Sequence, residues 1–403
     1  MKVLMFGWEF PPLSSGGLGT ACYGLTKSLS RKGVEITFVL PSAADITDAD
    51  FIKFRSANEI VNLKIRKIPS ALRPYMTSEN YSRYISQKSG KIAKIYGLTL
   101  FDEVYRYTLA AEKIAEEEDF DVIHCHDWMT FGAGIRAKRK KNKPLVLHVH
   151  STEHDRTGGH MVNQYVYDLE RKGLHKADKI IAVSNFTKDR IMKHYSVPSE
   201  KIAVVHNAVD FSQNCCEEQM HLKGSGKIVL FLGRLTLQKG PDYFVYAAKK
   251  ILEHEKNVKF IIAGTGDMEH FVIEKAAELG ISGKIMFAGF LNPEEVEKAY
   301  KTADIYVMPS VSEPFGITAL EAMKNKTATI VSKQSGVSEV INHCLKVDFW
   351  DVNELSNQVI SVLRYNPLQE ALKENGYFES RKFNWDTPAE KCINVYNELI
   401  RKG

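Results

Sequence analysis

Short apolar runs alternate with longer amphipathic stretches along most of this chain. Residues 2 to 8 are a compact apolar run, the pattern of a strand buried on both faces. Residues 20 to 31 carry helical spacing, with Leu25 and Leu29 on one face and Gly33 as a stop. Further strands are predicted over 34–40, 121–127, 145–150, 180–184 and 202–205. From 45 to 118 the alternation breaks into a polar stretch rich in tyrosine: Tyr75, Tyr81, Tyr84, Tyr96, Tyr105 and Tyr107. Most of these rings are read as half-buried structure, with sugar stacking open to some. From 211 to 226 the apolar period lapses, Gly, Ser, Gln and Cys accumulate, and a linker is predicted. Strands then resume over 227–232, 258–263, 284–287, 303–308 and 329–332. A last helix over 388–401 gathers Ala389, Cys392, Val395 and Leu399 on one face, which needs a surface to dock on. Two successive strand–helix series predict an α/β fold of two doubly wound domains.

The polar residues gather where strands end. In open parallel sheets that is where ligands bind. After the first strand, Ser14-Ser15-Gly16-Gly17-Leu18-Gly19 forms a glycine loop ahead of a helix, and Gly17 and Gly19 let backbone amides approach a phosphate. The spacing is not G-x-G-x-x-G, and no acid closes the second strand, which argues against a nicotinamide dehydrogenase. Asp127 and Trp128 end the strand D-V-I-H-C-H. His150 tips the strand L-V-L-H-V-H and is followed by Ser151, Thr152, Glu153, His154, Asp155 and Arg156. A histidine there serves either the core or a site; its strand-end place and polar company favour the site. Two D-x-D pairs, Asp48/Asp50 and Asp119/Asp121, are weak metal candidates, since neither follows a long buried strand.

In the second half, Gly233, Arg234 and Lys239 lie in the turn after its first strand. Ser310 to Met323 spells S-V-S-E-P-F-G-I-T-A-L-E-A-M. A helix starting after Gly316 directs unpaired N–H groups and roughly half a positive charge at what lies before it, an anion site. Glu313 precedes that helix and Glu321 stands about two turns on. If both turns share one sheet edge, two cations and a helix end converge and can neutralise a diphosphate without metal. Glu321 is then placed for a ribose and Glu313 for a sugar ring.

Composition narrows this without deciding it. At 403 residues, with 44% apolar and 26% charged residues, this is a globular chain of two-domain size. A formal charge of +5 favours anionic ligands mildly and gives no ground for a nucleic-acid partner. The six cysteines, Cys215-Cys216 among them, form no C-x-x-C pair, and the amino-terminal run is read as a strand. A cytoplasmic protein without a membrane span is expected. The basic run 136–143 reads as a solvated helix end, with weak membrane contact as the other option.

With these residues in view the chain resembles a known family. G-R-L-T-L-Q-K-G (233–240) together with E-P-F-G-I-T-A-L-E (313–321) is similar to the family 4 glycosyltransferases of the GT-B fold. W-E-F-P-P-L-S-S-G-G-L-G and H-C-H-D-W (124–128) resemble the glycogen and starch synthase branch. The resemblance implies two Rossmann-like domains facing a cleft: an acceptor-side domain over 1–212, a nucleotide-sugar domain over 213–382, and a helix over 383–403 returning to the first. It implies retaining, metal-independent transfer with no cofactor beyond the nucleotide sugar. Arg234 and Lys239 would bind the diphosphate, with Gly17 approaching from the other domain. Glu313 and His150 would meet the donor sugar and Glu321 the ribose. Phosphate would sit on the amides of Gly316, Ile317 and Thr318, with Phe315 beside them. Ser14-Ser15 stand where bacterial-type α-glucan synthases carry Lys-Thr. Phe315 and Glu321 stand where those enzymes usually have Cys and Tyr, and Asn207-Ala208 replaces the more usual Asn-Gly. These departures point from strict ADP-glucose synthases to the broader family. The expected enzyme is a hexosyltransferase using UDP- or ADP-glucose and an α-glucan acceptor. Synthesis of cell-surface glycan or glycolipid, a nucleotide-sugar epimerase and a non-catalytic sugar-binding module are the alternatives.

Overall fold

The computed structural model describes residues 1–11, 16–42, 62–70, 78–86, 98–211 and 226–402. Asp48, Asp50, Tyr75, Tyr96, Ser14, Ser15, the two adjacent cysteines and most of the expected linker lie outside these residues. The first half holds strands β1 (Lys2–Phe6), β2 (Glu35–Ser42), β3 (Leu63–Pro69), β4 (Val122–His126), β5 (Leu145–Val149), β6 (Lys179–Ala182) and β7 (Ile202–Val204). Its helices are α1 (Gly17–Arg31), α2 (Ser78–Ser86), α3 (Leu100–Glu117), α4 (Trp128–Lys141), α5 (Glu153–Arg156), α6 (Gln164–Lys176) and α7 (Asn185–Tyr195). The sheet is parallel in the order β3-β2-β1-β4-β5-β6-β7.

The second half alternates β8 (Lys227–Leu232), α8 (Pro241–His254), β9 (Val258–Ala263), α9 (Glu269–Glu278), β10 (Ile285–Gly289), α10 (Pro293–Thr302), β11 (Ile305–Met308), α11 (Ile317–Lys324), β12 (Ala328–Ser332) and β13 (Leu345–Val347). Helices α12 (Val352–Arg364), α13 (Asn366–Ser380) and α14 (Asp386–Lys402) complete it. Its parallel order is β10-β9-β8-β11-β12-β13. In both sheets the winding reverses beside the first strand, between β1 and β4 and between β8 and β11. A crevice opens at such a switch point, at the carboxyl edge.

The central strands are the continuous apolar runs, because helices cover both faces. Strand β4 is buried at all five positions, including its two histidines. The edge strands differ. β3 alternates apolar with Lys64 and Arg66, which pair with Glu118 and Glu117 at the sheet margin, so it lacks an apolar run. That is why a strand was not expected in the polar stretch. There Tyr81 and Tyr107 are buried and Tyr105 is exposed. Helix α1 starts three residues earlier than its spacing suggested, at Gly17.

The last helix returns to the first sheet. Trp385 lies over α1 so closely that a Cβ on Gly24 would stand 2.2 Å from its indole. Ser28 Oγ donates to Asp386 Oδ1 at 2.5 Å, and Tyr396 reaches His124 on β4. The pair Asp119/Asp121 sits at the amino edge, away from the switch points: Asp119 binds Lys2 Nζ and Asp121 accepts the Lys2 amide at 2.8 Å. In the basic run, Arg136, Lys138 and Lys140 pair with Glu112, Asp178 and Glu116. Among the described residues no helix is long and apolar enough to cross a membrane, and Cys22, Cys125, Cys344 and Cys392 are free and buried.

Candidate active site

Strands β8 and β11 pair directly, with Ile305 opposite Val229 and Tyr306 opposite Leu230. The turn after β8 and the turn after β11 are therefore neighbours, a fact that strand order alone decides. Gly240 makes the approach close: it adopts φ +63°, and a Cβ there would lie 2.3 Å from the Pro309 carbonyl. Val311 N donates to the Gln238 carbonyl at 2.9 Å, sewing the two turns together. Lys239 and Glu313 then form an ion pair, and Ser310 Oγ donates to the same Glu313 oxygen at 3.2 Å. Glu313 is only 6% exposed. Arg234 Nη2 donates to Gln238 Oε1 at 3.3 Å. A small cavity beside them is lined by Leu232, Lys239, Tyr306, Met308, Ser310 and Thr318.

Gly316 takes φ +106° and opens α11, whose first N–H groups have no acceptor within the helix. Phe315 and Ile317 turn their side chains into the core, so they offer the site backbone only. Glu321, half-buried on α11, accepts from Tyr300 Oη at 3.2 Å; desolvation raises its carboxyl pKa. Gly233 and Gly264 cross closely, since a Cβ on Gly264 would meet the Gly233 carbonyl at 1.9 Å.

The first domain presents its own switch point. Gly17 heads α1 with open space around it, and Gly19 N donates to the buried carboxylate of Glu9 at 3.2 Å. Asp127 takes φ +58° at the tip of β4, where its Oδ1 accepts the amides of His150 at 2.7 Å and Ser151 at 3.2 Å. Asp127 thereby fixes the turn that carries His150. Burial pushes the Asp127 carboxyl up to about 7, the Arg156 charge opposing it.

Four imidazoles stack at this turn, His124 and His126 on β4, His148 on β5 and His150 just past its end. They pair ring to ring: His124 Nε2 with His148 Nδ1 at 3.2 Å, and His126 Nδ1 with His150 Nε2 at 3.0 Å. Burial, joined for His124, His148 and His150 by the neighbouring rings, holds all four pKa values well below the usual imidazole range, His126 to about 3. His150 is therefore a neutral ring at pH 7, suited to hydrogen-bonding a hydroxyl. Nitrogens of His124, His126 and His148 fall within 4.8 Å of one another, as do ligand atoms of Cys22, His126 and His150. Desolvation keeps Cys22 a thiol, its pKa well above the usual value, and the thiolate is the better ligand form.

Known proteins resemble the chain over almost its whole length. A model described as Glycosyltransferase Family 4 matches residues 15–213, and one described as Glycosyl transferases group 1 matches residues 217–378. The chain is 32% identical over 413 residues to an uncharacterized glycosyltransferase of Methanocaldococcus jannaschii, covering 98% of each. The chain belongs to the family 4 glycosyltransferases. This glycosyltransferase is 26% identical over 406 residues to glycogen synthase of Mycobacterium tuberculosis, covering 98% of the chain and 94% of that enzyme. It superposes on sucrose-phosphate synthase from Thermosynechococcus elongatus with a TM-score of 0.81 at 19% identity, covering 100% of both chains. Its two facing α/β domains are the GT-B fold.

The glycosyltransferase also has site neighbours to which the sequence assigns no role of their own, Asp155 standing there only as part of the polar cluster after His150. Asp155, Ser184, Thr187, Ser312 and Glu339 meet across the domain boundary. The T-x-x-D of Thr152–Asp155 is a visible capping box, but its second use against Ser312 has no local signal. Phe290, 68% exposed just past β10, offers a ring at the same carboxyl edge.

Proposed function

We propose that this glycosyltransferase moves a hexose, glucose, from UDP or ADP to an α-glucan with retention and without a metal. The observation that carries this is the Lys239–Glu313 pair at the β8/β11 switch point, in front of the α11 N-terminus. Lys239, Arg234 and the amides of Gly316, Ile317 and Thr318 supply the positive field for a diphosphate leaving group, with Gly233 allowing close approach. Preorganised charge of this kind stabilises the negative charge that develops on departure. Glu313 exchanges its cation for sugar hydroxyls, Glu321 meets the ribose, and exposed Phe290 gives the base a face to stack on. Residues 1–212 form the acceptor side, presenting neutral His150, Gly17, Gly19 and the Asp127 turn to the sugar, residues 213–382 hold the donor, and 383–403 tie the two. The similarity to a glycogen synthase across almost the whole length supports an α-glucan acceptor.

The test pairs a donor screen with two variants. UDP-glucose and ADP-glucose are offered with glycogen as acceptor, with and without chelator, and the anomer of the product is read by NMR. Lys239→Ala and Glu313→Gln are expected to lose about 3 kcal/mol of transition-state stabilisation, roughly a hundredfold in rate, while remaining folded. Full activity in either variant, a β-linked product, or loss of transfer on chelation refutes the corresponding part.

A further inference from the structure

The residues that carry Glu313 are held on both flanks by the opposite domain. Ser312 Oγ donates to Asp155 Oδ1 at 2.6 Å, with both side chains fully buried. Asp155 is fixed in turn: its Oδ2 accepts from Thr152 N and Oγ1 at 2.9 and 2.7 Å, and Arg190 Nε lies 3.3 Å from Oδ1. On the other flank the Pro314 carbonyl accepts from Ser184 Oγ at 2.6 Å and Thr187 Oγ1 at 3.2 Å. Ser184 is also the N-cap of α7 and accepts the Thr187 amide at 2.9 Å, so its rotamer is set before it reaches across. Among the described residues Glu313 itself bonds within its own domain: its side chain to Lys239 and Ser310, its amide to the Gln334 carbonyl and its carbonyl to the Gly336 amide, the last two at 2.9 Å.

The domains meet here without spare room. A Cβ on Gly336 would stand 2.2 Å from the Pro314 carbonyl and 2.4 Å from Ser184 Cβ. Outside this point Glu339 accepts the amides of Asn185 and Phe186 at 2.8 and 3.3 Å and meets His206 Nε2 at 2.7 Å.

We propose that Asp155, Ser184 and Thr187 are positioning residues, through which the acceptor-side domain sets the pitch of Glu313 once the domains close. Opening the cleft breaks the three hydroxyl bonds to Ser312 and Pro314 together. The residues on either side of the acid then lose their brace, whereas Glu321 is held by Tyr300 of its own domain. Nucleotide binding and transfer should therefore respond separately to loss of these three bonds. This rests on the reading of Glu313 as the group beside the donor sugar.

The experiment compares the wild type with Ser184→Ala/Thr187→Val, Ser184→Thr, Gly336→Ala and Glu313→Gln. Each is measured for kcat and KM with UDP-glucose or ADP-glucose and glycogen, for binding of UDP and ADP, and for hydrogen exchange over 310–320 and 233–240. The double variant and Gly336→Ala are expected to lower kcat about 10- to 100-fold, the scale of a slightly misplaced group, with donor KM and nucleotide affinity within about twofold. Exchange should rise over 310–320 and not over 233–240, and Ser184→Thr should restore both. Unchanged kcat with unchanged exchange overturns the proposal, as does an equal loss of nucleotide affinity, which marks a purely structural role. If the double variant does not fold, Gly336→Ala decides by the same readouts. Full transfer by Glu313→Gln refutes the underlying reading instead.

Discussion

Asp127 shows how far one residue's setting departs from its letter. As sequence it is an acid at a strand end; in the fold it is a buried carboxyl at positive φ holding two amides of the His150 turn. Its folded pKa of about 7 lies above the ordinary carboxyl value of about 3.9. Between those values the folded state binds the extra proton, so this group's contribution to stability falls as pH rises through the window and stays low above it. Asp127→Asn keeps one acceptor oxygen and removes the titration. The variant is expected to gain stability on the order of a few kcal/mol relative to wild type between pH 5 and pH 8, read by urea unfolding at each pH. Parallel curves would show that the carboxyl ionises without penalty. At this scale one juxtaposition was legible: Lys239 and Glu313, polar residues in the turns after two apolar strands, were expected to converge if those turns shared a sheet edge, and they pair there. Phe315 and Ile317 were less so, since a residue beside a motif can point into the core.

At the scale of elements, legibility followed burial. Strands β8 and β9 match the apolar runs end to end, while β3 and β13 at the sheet margins were missed for want of such a run. The last helix was predicted from its apolar face, and its partner is now visible in the contact between Trp385 and Gly24. Gly24→Ala would drive a methyl into the indole. It is expected to cost about 1–3 kcal/mol, the usual penalty of overpacking, and to raise hydrogen exchange in α14 before the rest of the chain. A variant with unchanged exchange in α14 would mean that the indole swings aside freely.

At the scale of the molecule, two pairwise facts were out of reach of the sequence: which strands lie side by side, and which groups cross between domains. Both depend on long-range packing with no local pattern. One whole-molecule property follows from the imidazole stack. Each buried ring has a folded pKa below the ordinary value of about 6.5, so the unfolded chain binds more protons below that pH. Stability should then fall on acidification by about 1.4 kcal/mol per pH unit for each ring kept neutral, four rings outweighing the opposite trend of Asp127. A melting temperature that drops steeply between pH 6.5 and pH 5 is the expected result. A flat profile would show that water or protons reach the rings in the folded state.

The return of α14 to the first sheet also sets an order in time. The seven strands of the amino-terminal sheet leave the ribosome well before the helix that closes over His124 and the indole that seats on α1. Until residues 385 to 402 emerge, a face of the first domain that includes His124 and Gly24 stays wet. The nascent chain therefore carries a first domain without this cover through the synthesis of the second.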